Sequence, residues 1–137
     1  MTATIQYQGN LRCQATHLQS GTVIETDAPT DNKGKGERFS PTDLVCTALA
    51  TCIITTMAIR SQEKAIELSG TTVNVQKHMQ ANPRRIAKIE VAVTYPSTLI
   101  LNEEAFEFLK NVGDNCPVIK SLNEGLEVIT SYTFGNS

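Results

Sequence analysis

The run from Leu44 to Ile59, sixteen residues without a charge, constrains this chain more than any other feature. It follows the segment FSPTD, which has the chemistry of a helix start. Ser40 is a good N-cap residue, and Pro41 stands at the first helical position, where its missing N–H costs nothing. Asp43 falls three residues after the cap and gives a variant of the capping box, with Asp in place of Glu. Phe39, just before the cap, is placed to staple back onto the first turn. The predicted helix carries Leu44, Val45, Ala48, Leu49, Cys52, Ile53 and Met57 and ends at about Ala58–Arg60. A membrane-spanning helix takes about 20 apolar residues. Threonines interrupt this shorter run, so it reads as a buried helix. It is apolar nearly all round, and a chain of 137 residues has little structure with which to wrap it. A sheet on one side and a second copy of the chain on the other would enclose it.

The flanking segments supply such sheets. Residues 2–8, 11–18 and 22–27 read as three strands of a meander, punctuated by Gly9-Asn10 and Gly21. Pro29 to Arg38 is polar and glycine-bearing and reads as a loop. Its GKGE stretch lacks the spacing and the Ser/Thr of a phosphate loop. Beyond the helix, residues 70–79 and 85–95 alternate, the second with Ala87, Ile89, Val91, Val93 and Tyr95 on one face. Asn102 caps a helix across Glu103 to Lys110. A short helix runs from Cys116-Pro117 toward Leu122, with Gly125 at its end, and residues 126–134 close the chain as a strand. The order βββ-α-ββ-αα-β, with no repeated βαβ unit, predicts an α+β fold and a single domain over residues 1–137.

Twelve Lys and Arg against fourteen Asp and Glu give a net charge of −2, which offers no general attraction to nucleic acid or an anionic membrane. The N-terminal MTATIQYQGN has no basic stretch followed by an apolar run, so the cytoplasm is the expected compartment. There the four cysteines, Cys13, Cys46, Cys52 and Cys116, are expected as thiols rather than standing disulfides. No CxxC, HExxH, Walker loop or dinucleotide fingerprint is present, and no cofactor is expected. The spacings of Cys13, His17, Cys52 and Cys116 match no compact zinc site.

Two cysteines sit in chemically distinctive places. Cys116 falls at a helix N-cap with Pro117 behind it, where unpaired backbone N–H groups favour a thiolate. Cys52 lies mid-helix among apolar neighbours. Burial alone would leave it inert, and it becomes a nucleophile only if a cation or several donors reach it. On the residues alone, a packed thiol and a reactive one both fit each position.

Taken together, F-S-P-T-D-L-x-x-x-A-L-A-x-C and, some sixty residues on, C-P-V-x-x-S-L resemble the paired motifs of the OsmC/Ohr family of thiol peroxidases. The resemblance covers essentially the whole chain, and Arg12 through His17, SGTVIETDAP and FSPTDL are more similar to the OsmC-like branch. It implies antiparallel sheets around a long central helix, in an intertwined homodimer with sites at the subunit interface. It implies that Cys52 attacks a small organic hydroperoxide, that Cys116 resolves the product into a disulfide, and that an external dithiol or lipoyl-type reductant restores both thiols. The other reading of the resemblance is a non-catalytic OsmC-like protein that binds a small hydrophobic ligand at the dimer interface.

One departure bears on the site. Ohr-type members carry a glutamate directly after the motif proline, paired with an arginine that activates the thiolate. Thr42 occupies that position here. Asp43 is next, but one helical step turns a side chain by roughly 100°. Asp43 is therefore a candidate for the carboxylate role, with its cap role at least as strong. Arg12, early in the second strand, is the first candidate for the activating cation and Arg38 the second, whereas Arg60 is expected to face solvent at the helix end.

Overall fold

A computed structural model describes residues 1–136. The chain divides into two compact units, residues 1–45 and the chain from Cys46 onward.

In the first unit, β1 (Ala3–Gly9), β2 (Arg12–His17) and β3 (Val23–Asp27) form the expected antiparallel meander in the order β1-β2-β3. The β1–β2 turn runs through Gly9, Asn10 and Leu11, all at positive φ, which glycine and asparagine tolerate best. The β2–β3 register pairs Arg12 with Asp27 and Thr16 with Val23. This sheet has almost no core. Among residues 1–45 only Asp27 and Ser40 are buried, while Ile5, Tyr7, Val23 and Ile24 are exposed.

Helix α1 (Pro41–Ser61) begins where the cap residues place it and runs to the expected end. Its inner side repeats at helical spacing as Cys46, Leu49, Ala50, Ile53 and Met57, all buried. The opposite side is open: Val45 and Ile59 are 37% and 60% exposed. The chain thus covers one face of the apolar helix and leaves the other uncovered. From Pro41 to Lys64 the segment is long and apolar enough to cross a membrane. Its inner face nevertheless belongs to the core of the second unit.

That unit builds a sheet in the order β4-β5-β6 from β4 (Thr72–Gln80), β5 (Arg85–Tyr95) and β6 (Glu127–Phe134). Strands β4 and β5 pair antiparallel, as expected, whereas β5 and β6 are parallel, so the antiparallel expectation holds for the meander and for β4–β5 but not for β6. A parallel neighbour needs a crossover, and α2 (Glu103–Asp114) with α3 (Pro117–Ser121) supplies it. Asn102 caps α2 as predicted, its side chain accepting from the Ala105 amide at 2.7 Å. The helix runs four residues beyond the expected end, through Gly113. Where β5 passes the register shift at His78/Met79, Ala87 becomes the extra residue of a bulge. Ile86 takes the buried position expected for Ala87, and Ile89, Val91, Val93 and Tyr95 follow on the same face. With Leu109 and Val112 of α2 they close over Leu49, Ile53 and Met57. Each such side chain contributes about 1.5–3 kcal/mol on burial.

Candidate active site

Cys52 lies midway along α1 and is half-buried. Its Sγ is 3.7 Å from the Thr56 Oγ1, one turn further on. Cys116 comes from the junction between α2 and α3. Helix α2 stops at Asp114, Asn115 caps it, and Cys116 takes the extended N-cap conformation of α3 with Pro117 at N1. The Cys116 amide donates to the Gly113 carbonyl at 3.3 Å, and the Cys116 carbonyl accepts from the Lys120 amide at 3.2 Å. Its side chain is completely buried. Both thiols are free, and Cys52 is close enough to Cys116 to influence its titration. Residues 64 apart in sequence thereby form a pair.

The expected thiolate at Cys116 is not what its surroundings favour. Burial pushes the Cys116 thiol above its ordinary value, and the adjacent Cys52 pushes in the same direction. The backbone N–H groups of Ile119 and Val118 pull the other way, but no regular cap bond to the side chain forms. A helix of five residues brings few aligned peptide dipoles, and desolvation outweighs them.

Arg12 is fixed by a residue that the sequence reading did not single out. Its Nε and Nη2 donate to the two carboxylate oxygens of Asp27 at 2.7 and 2.8 Å, and Nη2 also donates to Glu37 at 3.4 Å. The Asp27 side chain is 1% exposed. The signal for it lay in the hairpin register, which sets Arg12 directly across from Asp27. The guanidinium holds the Asp27 carboxyl below its ordinary value, chiefly through these hydrogen bonds. Arg38 pairs with Glu25 at 3.2 Å, on the surface. Arg60 is at the exposed helix end, paired with Glu63 and lying over the Phe108 ring.

Asp43 closes the cap. Its amide donates to Ser40 Oγ and its Oδ2 accepts from the Ser40 amide, both at 3.0 Å. Thr42 Oγ1 joins the same turn, 3.2 Å from Ser40 Oγ. Phe39 is 56% exposed, so the expected staple does not bury it. Of the four predicted site residues, Cys52 and Cys116 stand together, Arg12 is held by Asp27, and Asp43 is held by Ser40. Cys46 is buried on the inner face of α1.

Comparison with known proteins places these features in a family. Residues 34–131 match the family described as OsmC-like protein. A structure from Psychrobacter arcticus 273-4, of a protein assigned to the osmotic stress induced and detoxification response, is 40% identical. It superposes with a TM-score of 0.89, over 98% of this chain and 96% of that one. An OsmC like protein from Mycoplasma pneumoniae is 20% identical, with a TM-score of 0.77 over 98% of this chain and 96% of its own. An organic hydroperoxide resistance protein OsmC from Legionella pneumophila is 17% identical, with a TM-score of 0.68 over 99% and 98%. No curated protein sequence matches the chain.

Proposed function

Because this chain belongs to the OsmC/Ohr family, we propose that it is a thiol-dependent peroxidase that reduces small organic hydroperoxides to alcohols. The observation that carries this reading is the thiol pair: Cys52 and Cys116, on different helices, are neighbours at the edge of the apolar core, Cys116 within it and Cys52 packed against it. The Cys52 thiolate attacks one oxygen of R–O–O–H. The O–O bond breaks, Cys52 becomes a sulfenic acid, and the alkoxide takes a proton to leave as the alcohol. The Cys116 sulfur then attacks the Cys52 sulfur. The S–O bond breaks, hydroxide leaves with the Cys116 proton as water, and a Cys52–Cys116 disulfide remains. An external dithiol, of lipoyl type or otherwise, reduces it by exchange.

The order of roles follows from burial. A fully buried thiol whose proton is held tightly is a poor first nucleophile and a suitable second one. Cys52, half-buried, is the sulfur a substrate can approach. Arg12 supplies the cation that such a mid-helix thiol needs, since the field of a helix N-terminus fades beyond its first turn. Apolar walls favour an alkyl hydroperoxide over hydrogen peroxide. The enzyme acts as a cytoplasmic homodimer, without nucleic acid or membrane.

Consumption of cumene hydroperoxide and of hydrogen peroxide with a dithiol reductant tests the proposal. Wild type should turn over the organic substrate faster. Cys52→Ser should be inactive, and Cys116→Ser should consume about one equivalent and stop. Absence of consumption by wild type, with apolar material retained in native mass spectrometry, would establish a non-catalytic binder instead.

A further inference from the structure

The segment that delivers Cys116 is tied down by a group outside the thiol pair. Asp114, two residues before Cys116, ends α2. Its Oδ1 accepts from Thr130 Oγ1 at 2.7 Å and from the Tyr132 hydroxyl at 2.8 Å. Both donors sit on β6, on the side that faces inward, and Tyr132 is buried. The approach is close at the preceding residue. A Cβ on Gly113 would come within 2.5 Å of the Tyr132 hydroxyl, 2.9 Å of Met57 Sδ and 3.2 Å of Ile53 Cγ2. Ile53 directly follows Cys52. The Gly113 carbonyl in turn receives the Cys116 amide. One short stretch, Gly113 to Cys116, therefore binds β6 through a carboxylate, packs on α1 beside Cys52, and presents the Cys116 sulfur.

We propose that Asp114 is a positioning residue for disulfide formation, clamping the end of α2 to β6 so that the Cys116 sulfur is held against Cys52. This rests on the reading of Cys52 and Cys116 as the redox pair. Two hydrogen bonds to a carboxylate are strong enough to hold a chain end that would otherwise fray. The benefit is a high effective concentration of one thiol at the other. Without the clamp the Cys116 segment samples other positions, and the disulfide forms less readily.

A glutathione redox titration measures this without any hydroperoxide: two protein thiols and oxidised glutathione give the intramolecular disulfide and two reduced glutathiones. The equilibrium constant is the effective concentration of the pair. Asp114→Ala should lower it by about tenfold or more, a fraction of what two charge-assisted hydrogen bonds are worth, because only their effect on the position of Cys116 enters this constant. Thr130→Val with Tyr132→Phe, which leaves the carboxylate but removes both donors, should lower it as well. Asp114→Asn, which keeps an accepting oxygen, should restore much of it. A general loss of stability acts on reduced and oxidised protein alike and does not move this constant. If wild type forms the disulfide and folded Asp114→Ala or the double variant has an unchanged constant, the positioning role is wrong. If wild type forms no Cys52–Cys116 disulfide, the redox reading itself fails, and this inference with it.

Discussion

Arg12 grips Asp27 by both carboxylate oxygens, at 2.7 and 2.8 Å, across adjacent strands of a sheet that buries almost nothing else. A bidentate pair fixes the plane of the guanidinium and leaves its Nη1 donors for another acceptor. Asp27 is therefore the carboxylate that holds Arg12. Arg12→Met and Asp27→Asn should each slow alkylation of Cys52 in a Cys116→Ser background, by about tenfold through loss or misplacement of the cation. An unchanged rate in Arg12→Met would transfer the role to Arg38.

The same pair predicts an acid limb. The folded-state pKa of Asp27 lies below its ordinary 3.8, so ionised Asp27 favours the folded chain. That stability is fully present above the ordinary value and is lost as pH falls through the depressed one. Thermal melts of wild type below pH 4 should fall more steeply than those of Asp27→Asn.

Asp43 and Ser40 satisfy each other's backbone amides at the start of α1. Ser40→Ala should cost about 1 kcal/mol of stability and Asp43→Asn less than that. If Asp43→Asn instead shifts the pH profile of Cys52 alkylation more than the melt, Asp43 acts on the thiol and not only on the cap.

These cases show what the sequence made legible. The α1 start was readable because capping chemistry is local: Ser40, Pro41 and Asp43 lie within one turn. The strands were readable from alternation, and the Cys52–Cys116 pair from motif resemblance. Three features depended on long-range geometry. The Arg12–Asp27 pair needed the hairpin register. The parallel β5–β6 pairing needed the path of α2 and α3. The raised Cys116 thiol needed the degree of burial, which outweighs the helix end beside it. The Asp114 clamp was invisible for the same reason, since its partners Thr130 and Tyr132 follow sixteen and eighteen residues later.

Three buried groups give an alkaline limb. Burial raises Cys116 from its ordinary 9.0, pushes Tyr95 up to about 12, and with Asp114 raises Tyr132 as well. Each folded-state pKa exceeds the unfolded one, so each contribution is complete below the unfolded value and is lost as pH rises through the folded one. Melting temperature should therefore decline above about pH 9, with Cys116→Ser flattening the first part and Tyr95→Phe the part beyond pH 10. Among the described residues the Tyr95 hydroxyl is buried without a hydrogen-bond partner. At neutral pH Tyr95→Phe should be neutral or stabilising, by up to about 1 kcal/mol. A large loss at pH 7 would mean that the hydroxyl has a partner in solution.

The uncovered side of α1 leads to the last expectation. Val45 and Ile59 are exposed, and Ile5, Tyr7, Val23 and Ile24 are exposed on the meander, a sheet with no core of its own. Three strands need a hydrophobic face packed against something to be stable, and exposed apolar surface on this scale marks an association site. A second copy of the chain is the partner that the family implies. Sedimentation at micromolar protein should give about twice the 14.9 kDa of the chain. Ile59→Glu puts a charge into that face, and burying it unpaired should shift the protein toward monomer by several kcal/mol of association energy. Peroxidase turnover should fall with the dimer fraction if sites lie at the interface, and recover as protein concentration rises. A wild-type protein that sediments as a stable monomer would sink the homodimer.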